Sequence, residues 1–198
     1  WDLATSAKLE ELIKLFPQAQ VIGEKYGVIR VPGEELSIEI ASFRKEGAYS
    51  DHRRPDEVIF TDSIEEDLKR RDYTVNAIAG HPDKVLVDPY GGVQDLKAKL
   101  LRAVGEPGLR FEEDPLRILR GIRLAAQLDF DLQLDTFKAM QEKAHLLDQL
   151  SADRIRQELE RIVTSQNSGK GLRICMTAGV MPYILGDYYN NAKKHEMA

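Results

Sequence analysis

The sequence predicts an α+β protein whose two halves differ in kind. Three observations lead there. Up to about residue 104, short apolar runs with strand character alternate with helical ones. Beyond that point apolar residues recur at helical spacing to about residue 165. Between the two lies Gly105-Glu106-Pro107-Gly108, a cluster that punctuates a chain. The expected divisions are 1–108, 109–168 and 169–198.

Each element has a local reason. Residues 8–16 place Leu9, Leu12, Ile13 and Phe16 on one helical face, and Pro17 stops the run. Residues 20–23 and 27–31 read as a strand pair. The clearest strand is 36–43, where Leu36, Ile38 and Ile40 point one way and Ser37, Glu39 and Ala41 the other. Glu39 is therefore a carboxylate in mid-strand, read either as a solvated edge residue or as a metal ligand presented on a sheet. Residues 44–57 are polar and read as a mobile loop, with His52 solvated and basic residues able to touch phosphates. Ser63 and Glu66 fit a capping box at a helix start. Three cations stand together at Lys69-Arg70-Arg71, and Asp72 and Asn76 follow one helical turn apart, a geometry for fixing an arginine or a ribose hydroxyl. Residues 85–87 and 100–104 read as strands around a turn at Asp88-Pro89-Tyr90-Gly91-Gly92. Helices are expected over 114–127, 135–146 and 151–164. Gly169 to Gly171 should break the pattern, a short apolar helix should occupy 172–184, and the polar tail from Tyr188 should fray.

Composition narrows the function classes. The 198 residues are 42% hydrophobic and 31% charged, with a net charge of −5, so any basic surface must be local. The single Cys175 excludes an internal disulfide and suits a reducing cytoplasm. No apolar run approaches transmembrane length and no signal peptide opens the chain, so no membrane partner is expected. There is no Walker or Rossmann glycine motif.

The most informative stretch is Glu113-Asp114-Pro115-Leu116-Arg117, continuing to Arg120 and Arg123. Pro115 suits a first helical turn and Asp114 an N-cap. The arginines follow at intervals of three, each step turning about 300°, so they form a slanting stripe on one side of the helix. Ionised Asp only accepts hydrogen bonds and Arg only donates them. Cytosine and adenine both show an amino donor beside a ring-nitrogen acceptor, whereas uracil and guanine show the reverse. An Asp114–Arg117 pair can accept the first two and refuse the others, with Arg120 and Arg123 left to hold a triphosphate. The competing reading is a solvated helix with an i,i+3 ion pair.

Four motifs now stand in order: Arg70-Arg71-Asp72-Tyr73-Thr74-Val75-Asn76-Ala77, Asp88-Pro89-Tyr90-Gly91-Gly92, Glu113-Asp114-Pro115-Leu116-Arg117, and Leu150-Ser151-Ala152-Asp153-Arg154-Ile155. With these spacings the chain resembles the class II tRNA nucleotidyltransferase and bacterial poly(A) polymerase family over nearly its whole length. The resemblance implies a polymerase-beta-like nucleotidyltransferase head with a small mixed sheet over 1–108. An all-α neck carrying the base-selecting helix follows over 109–168, and the start of a helical body over 169–198. It implies magnesium held by Asp2, as the second residue of an Asp-x-Asp pair, with Glu39 where a third carboxylate belongs. Arg71 matches the arginine that contacts the nucleotide, with Asp72 and Asn76 beside it. Asp114 and Arg117 match the base-selecting pair, and Arg120 and Arg123 match nucleotide-binding arginines. Arg154, Arg156 and Arg161 are candidates for a basic lining that holds RNA.

The implied activity is template-independent addition of C and A to the tRNA 3′ end from CTP and ATP, with magnesium, in the cytoplasm. A poly(A) polymerase or an A-only or CC-only relative shares these motifs. A reading from another class is an RNA-binding module on a catalytically dead polymerase fold. The family's glycine-rich motif and first Asp would precede Trp1. The expectation is therefore a piece of a longer protein, poorly active or inactive alone.

Overall fold

The computed structural model describes residues 2–33, 36–47, 57–81 and 86–186. A four-stranded mixed sheet opens it: β1 (Asp2–Thr5), β2 (Gln20–Gly23), β3 (Val28–Val31) and β4 (Ile38–Ser42), in the order β1-β4-β3-β2. β1 runs parallel to β4, and the remaining pairings are antiparallel. Register decides what each face carries. Leu3, Ile40 and Ile29 share one row, and Ile29 and Ile40 are buried with Leu12 of α1 (Leu9–Leu15). Asp2, Glu39 and Arg30 share the next row and so project from the opposite face.

The segment expected to be a loop instead opens with a strand, β5 (Arg44–Glu46), which pairs with β6 (Val58–Phe60). The polar composition of 44–57 concealed β5, whose apolar partner Val58-Ile59-Phe60 lies beyond it. His52 falls outside the described residues. Ser63 caps α2 (Ile64–Lys69) by accepting the Glu66 N–H at 3.3 Å, one half of the expected box. Residues 74–76 form a 3₁₀ turn. The strand read at 85–87 is, among the described residues, a single bridge from Val87 to Ala79. Asp88 bonds the N–H groups of Gly92 and Val93 at 2.7 and 2.9 Å, turning the chain into α3 (Gly92–Ala98).

The second half is organised around α5 (Leu116–Leu128), preceded by α4 (Pro107–Glu113). Pro107, read as punctuation, in fact opens α4, where its missing N–H costs nothing. Asp114 ends α4, and its Oδ1 accepts the Leu116 N–H at 3.1 Å, so it still satisfies a donor of the next helix. A short parallel pair, β7 (Leu100–Leu101) with β8 (Asp131–Leu132), links the halves. Then come α6 (Leu134–Lys143), α7 (Ala152–Val163), α8 (Ser168–Thr177) and α9 (Met181–Leu185). Gly171 does not break a helix. It lies inside α8, where an added Cβ would come within 2.7 Å of Ile162 Cγ2, so it serves close packing on α7.

The main core joins Ile118, Leu119 and Ile122 of α5 to Phe111, Met140, Leu147, Ile162 and Val180. It also takes in Tyr73, Leu101 and Ala103, from before residue 108. Tyr73 is fully buried and donates its hydroxyl to the Arg117 carbonyl at 2.6 Å. Gly121 makes that approach possible, since a Cβ there would lie 2.1 Å from the Tyr73 hydroxyl oxygen. This contact ties the Arg70-Arg71-Asp72 segment to the first turn of α5.

Candidate functional site

A cleft of about 970 Å³ lies between the polar face of the sheet, residues 64–81 and the start of α5. That volume suits a drug-sized or nucleotide-sized ligand. Asp2 and Ala4 of β1 line one side, with Tyr26, Phe43 and Arg44. Arg70, Arg71, Asp72, Asn76, Asp114, Arg117 and Arg120 line the other. The sheet side thus carries one carboxylate and one guanidinium, and the opposite side is rich in guanidinium groups, an arrangement suited to an anionic ligand.

The cationic side is held by carboxylates. Asp67 of α2 is buried and takes Arg70 through its Nε and a terminal nitrogen at 3.0 and 2.8 Å, and Arg71 at 3.1 Å. Asp72 accepts the Tyr73 N–H at 2.8 Å and the Asn76 amide at 3.3 Å, and its other oxygen pairs with Arg120 at 2.7 Å. Asp72 and Asn76 therefore fix an arginine, one of the two uses their spacing suggested.

Asp114 and Arg117 both face the cleft but are not paired with each other. Both Asp114 oxygens are held by one terminal nitrogen of Arg154, at 2.9 and 3.1 Å. Arg117 pairs with Glu113 and donates to the carbonyls of Arg110 at 3.1 Å and Arg70 at 3.3 Å. Glu113 was visible in the sequence only as part of a motif. Its task here is to orient Arg117.

One expectation needs correction, and one candidate is committed elsewhere. Arg123 does not line the cleft. Two steps of the stripe, each turning about 300°, carry it round α5 to Glu158 of α7, at 2.8 Å. Arg154, a candidate for an RNA lining, is only 18% exposed and is committed to Asp114. Arg156 and Arg161 are exposed on α7, outside the cleft. Arg156 has Asp153 and Glu160 beside it at 3.6 and 2.8 Å, and Arg161 has Glu158 at 3.9 Å, so their charge is locally offset.

Asp2 and Glu39 stand in register on the same face of neighbouring parallel strands. Their oxygens are the hard donors that magnesium takes. Glu39 also accepts two bonds from Arg30, at 2.7 and 3.2 Å, and does not line the cleft. Among the described residues no group of three or more His, Cys, Asp or Glu gathers as a metal site.

Residues 1–102 match the family model described as "Poly A polymerase head domain", and residues 129–189 match "Probable RNA and SrmB-binding site of polymerase A". The chain is 40% identical over 185 residues to a CCA-adding enzyme of Geobacillus thermodenitrificans, covering 93% of this chain and 46% of that protein. It is 44% identical over 185 residues to one of Streptococcus uberis, with the same coverage. The structure of the Bacillus stearothermophilus CCA-adding enzyme in complex with CTP superposes with a TM-score of 0.85 at 34% identity, over 93% of this chain and 45% of that one. The Thermotoga maritima CCA-adding enzyme complexed with tRNA superposes with a TM-score of 0.73 at 28% identity, over 92% and 42%. The chain spans less than half the length of these relatives.

Proposed function

This chain belongs to the family of the poly A polymerase head domain, and from that premise we propose that it is the catalytic part of a CCA-adding enzyme, transferring CMP and AMP from CTP and ATP to the tRNA 3′ end. The observation that carries the reading is that Asp2, Asp114 and Arg117 border one nucleotide-sized cleft with a wall of arginines. The similarity to proteins named CCA-adding enzymes, and to structures holding CTP or tRNA, supports it. A cytoplasmic place of action belongs to the same reading, and no described helix is long and apolar enough to cross a membrane.

The residues divide the work. Residues 1–108 serve as head, 109–168 as neck with the base-selecting helix, and 169–198 as the start of a body. Asp114 accepts from the exocyclic amino group of cytosine or adenine, and Arg117 donates to the neighbouring ring nitrogen. Arg154 and Glu113 hold these two groups in place, so little ordering remains to be done when the base arrives. Arg71 and Arg120 grip phosphate or sugar oxygens, with Asp72 and Asn76 orienting Arg120. The RNA 3′-hydroxyl gives up its proton to solvent as its oxygen bonds to the α-phosphorus and the bond to the pyrophosphate oxygen breaks, and pyrophosphate leaves with the electron pair. Asp2 and Glu39 are the residues that would hold magnesium, which supplies charge stabilisation to the attacking and leaving oxygens.

The test is single-turnover incorporation of each of the four nucleotides onto tRNAs ending before C, before the second C and before A, using the full-length protein. Wild type should use CTP and ATP in turn. Asp114→Ala should slow both and narrow their advantage over UTP and GTP, by the roughly 1–3 kcal/mol that a mispaired buried polar group costs. Arg120→Ala should weaken all four alike. Growth of an A tract without C would make it a poly(A) polymerase. Binding of tRNA without any incorporation would make it an RNA-binding module. An unchanged ranking in Asp114→Ala would remove the base-selection argument.

A further inference from the structure

We propose that Asp67 is a positioning residue for the phosphate side of the cleft, holding Arg70 and Arg71 ready for the triphosphate of the incoming nucleotide. The inference rests on the nucleotide-transfer reading above and deepens it.

Asp67 itself does not line the cleft, and it is only 1% exposed. Among the described residues, every hydrogen bond to its carboxylate comes from a residue that does. Oδ1 accepts Arg70 Nε at 3.0 Å, an Arg70 terminal nitrogen at 2.8 Å and the Arg44 backbone N–H at 3.2 Å. Oδ2 accepts a terminal nitrogen of Arg71 at 3.1 Å. One buried anion therefore gathers β5 and two adjacent guanidinium groups at the rim of one cavity. An exposed ion pair at i,i+3 would be worth little, but a carboxylate removed from water demands partners on both oxygens, and here it has them.

Its charge persists. Burial would raise the Asp67 carboxyl above the ordinary carboxylate range, but Arg70, Arg71 and the Arg44 N–H outweigh burial and hold it below that range. The pairing does not exhaust the arginines as donors. Arg71 gives one terminal nitrogen to Asp67, and its buried Nε has no hydrogen-bond partner among the described residues. A guanidinium fixed on one side by a carboxylate presents its remaining N–H groups to a phosphate without first losing rotamer freedom. Without the anion, two neighbouring cations would repel each other and swing apart.

The experiment compares wild type with Asp67→Asn in the full-length protein, after thermal melting confirms folding. The expected result is a KM for CTP and ATP raised about tenfold and equally, the size of one lost charged hydrogen bond, with the saturated single-turnover rate within about threefold of wild type. Affinity for inorganic tripolyphosphate, measured by calorimetry, should fall by the same factor, while competition by cytidine, which has no phosphate, should not change. If Asp67→Asn does not fold, Asp67→Glu takes its place, keeping the charge but displacing it by one methylene, with the same expected pattern. Unchanged KM and tripolyphosphate affinity in a folded variant would overturn the proposal, as would failure of both variants to fold, which would mark Asp67 as a structural tie alone. A wild type that binds tripolyphosphate and loses it in Asp67→Asn, yet transfers no nucleotide, would keep the positioning role and sink the transfer reading instead.

Discussion

At the sheet end of the cleft, Asp2 stands exposed on the terminal strand of a four-stranded sheet, above a small core of Leu12, Ile29 and Ile40. At the helical end, Asp114, Arg117 and Arg120 each lean on a partner from outside α5: Arg154, Glu113 and Asp72. Beneath them lies the main core, with Tyr73, Ile118, Leu119 and Ile122 all but inaccessible. The contrast separates two kinds of site. Charges at the helical end are oriented by the protein before any ligand arrives. The Asp2 side chain has no hydrogen-bond or ion-pair partner among the described residues, and its orientation is left to whatever it binds. A change at the sheet end should remove chemistry and spare the fold, whereas a change of equal size at the helical end should cost stability as well.

The sharpest way to break that contrast is Asp2→Asn. In the full-length protein it should lower single-turnover transfer about a thousandfold, since several kcal/mol of charge stabilisation at the reacting phosphate would be lost. Stability to urea should shift by less than about 0.5 kcal/mol, as for other exposed substitutions. Transfer at the wild-type rate would remove Asp2 from the metal site.

Gly121→Ala is the matching change at the helical end. Its methyl group would collide with the Tyr73 hydroxyl and with Met140, in a region without slack. Urea unfolding should show a loss of about 3 kcal/mol. A loss below about 1 kcal/mol would mean that α5 and Tyr73 can separate cheaply and that the helical end is less rigid than described.

Acid probes the buried carboxylate. The Asp67 carboxyl is held below its usual value in the folded protein, so its contribution to stability is fully present above the unfolded value of about 3.9. That contribution is lost as the pH falls through the folded value. In urea titrations repeated from pH 6 down to pH 2, wild type should therefore lose more stability than Asp67→Asn. Parallel curves would show that the Asp67 pairing contributes nothing net.

The smallest effect belongs to the pair beside Asp2. Arg30 and Glu39 are 45% and 43% exposed, and Arg30→Met should change stability by no more than about 0.5 kcal/mol. A larger loss would show that the sheet end is braced by its charges after all.

Much of the architecture was legible because it is local. The strand 36–43 announced itself by alternation, and the helices by residues recurring every three or four positions, so Glu39 could be placed on a sheet face and Asp114 at a helix start. The strand β5 was missed because its residues are polar and its apolar partner Val58-Ile59-Phe60 lies on the far side of residues 48–56. Asp67 follows directly on the Ser63–Glu66 capping box, and its spacing of three and four to Arg70 and Arg71 was the signal that could have singled it out.

What the sequence determined by itself is the set of groups that can do chemistry and the faces on which they stand: Asp2 with a strand under it, Asp114 and the arginine stripe on a helix. What only the tertiary structure decided is which of them are committed to one another. Asp114 meets Arg154 across 40 positions, Arg117 reaches the Arg70 carbonyl across 47, and Arg123 leaves the stripe for Glu158. No spacing rule covers such pairs. They depend on how closely the elements pack: Gly121 lets Tyr73 approach α5, and Gly171 lets α8 approach α7.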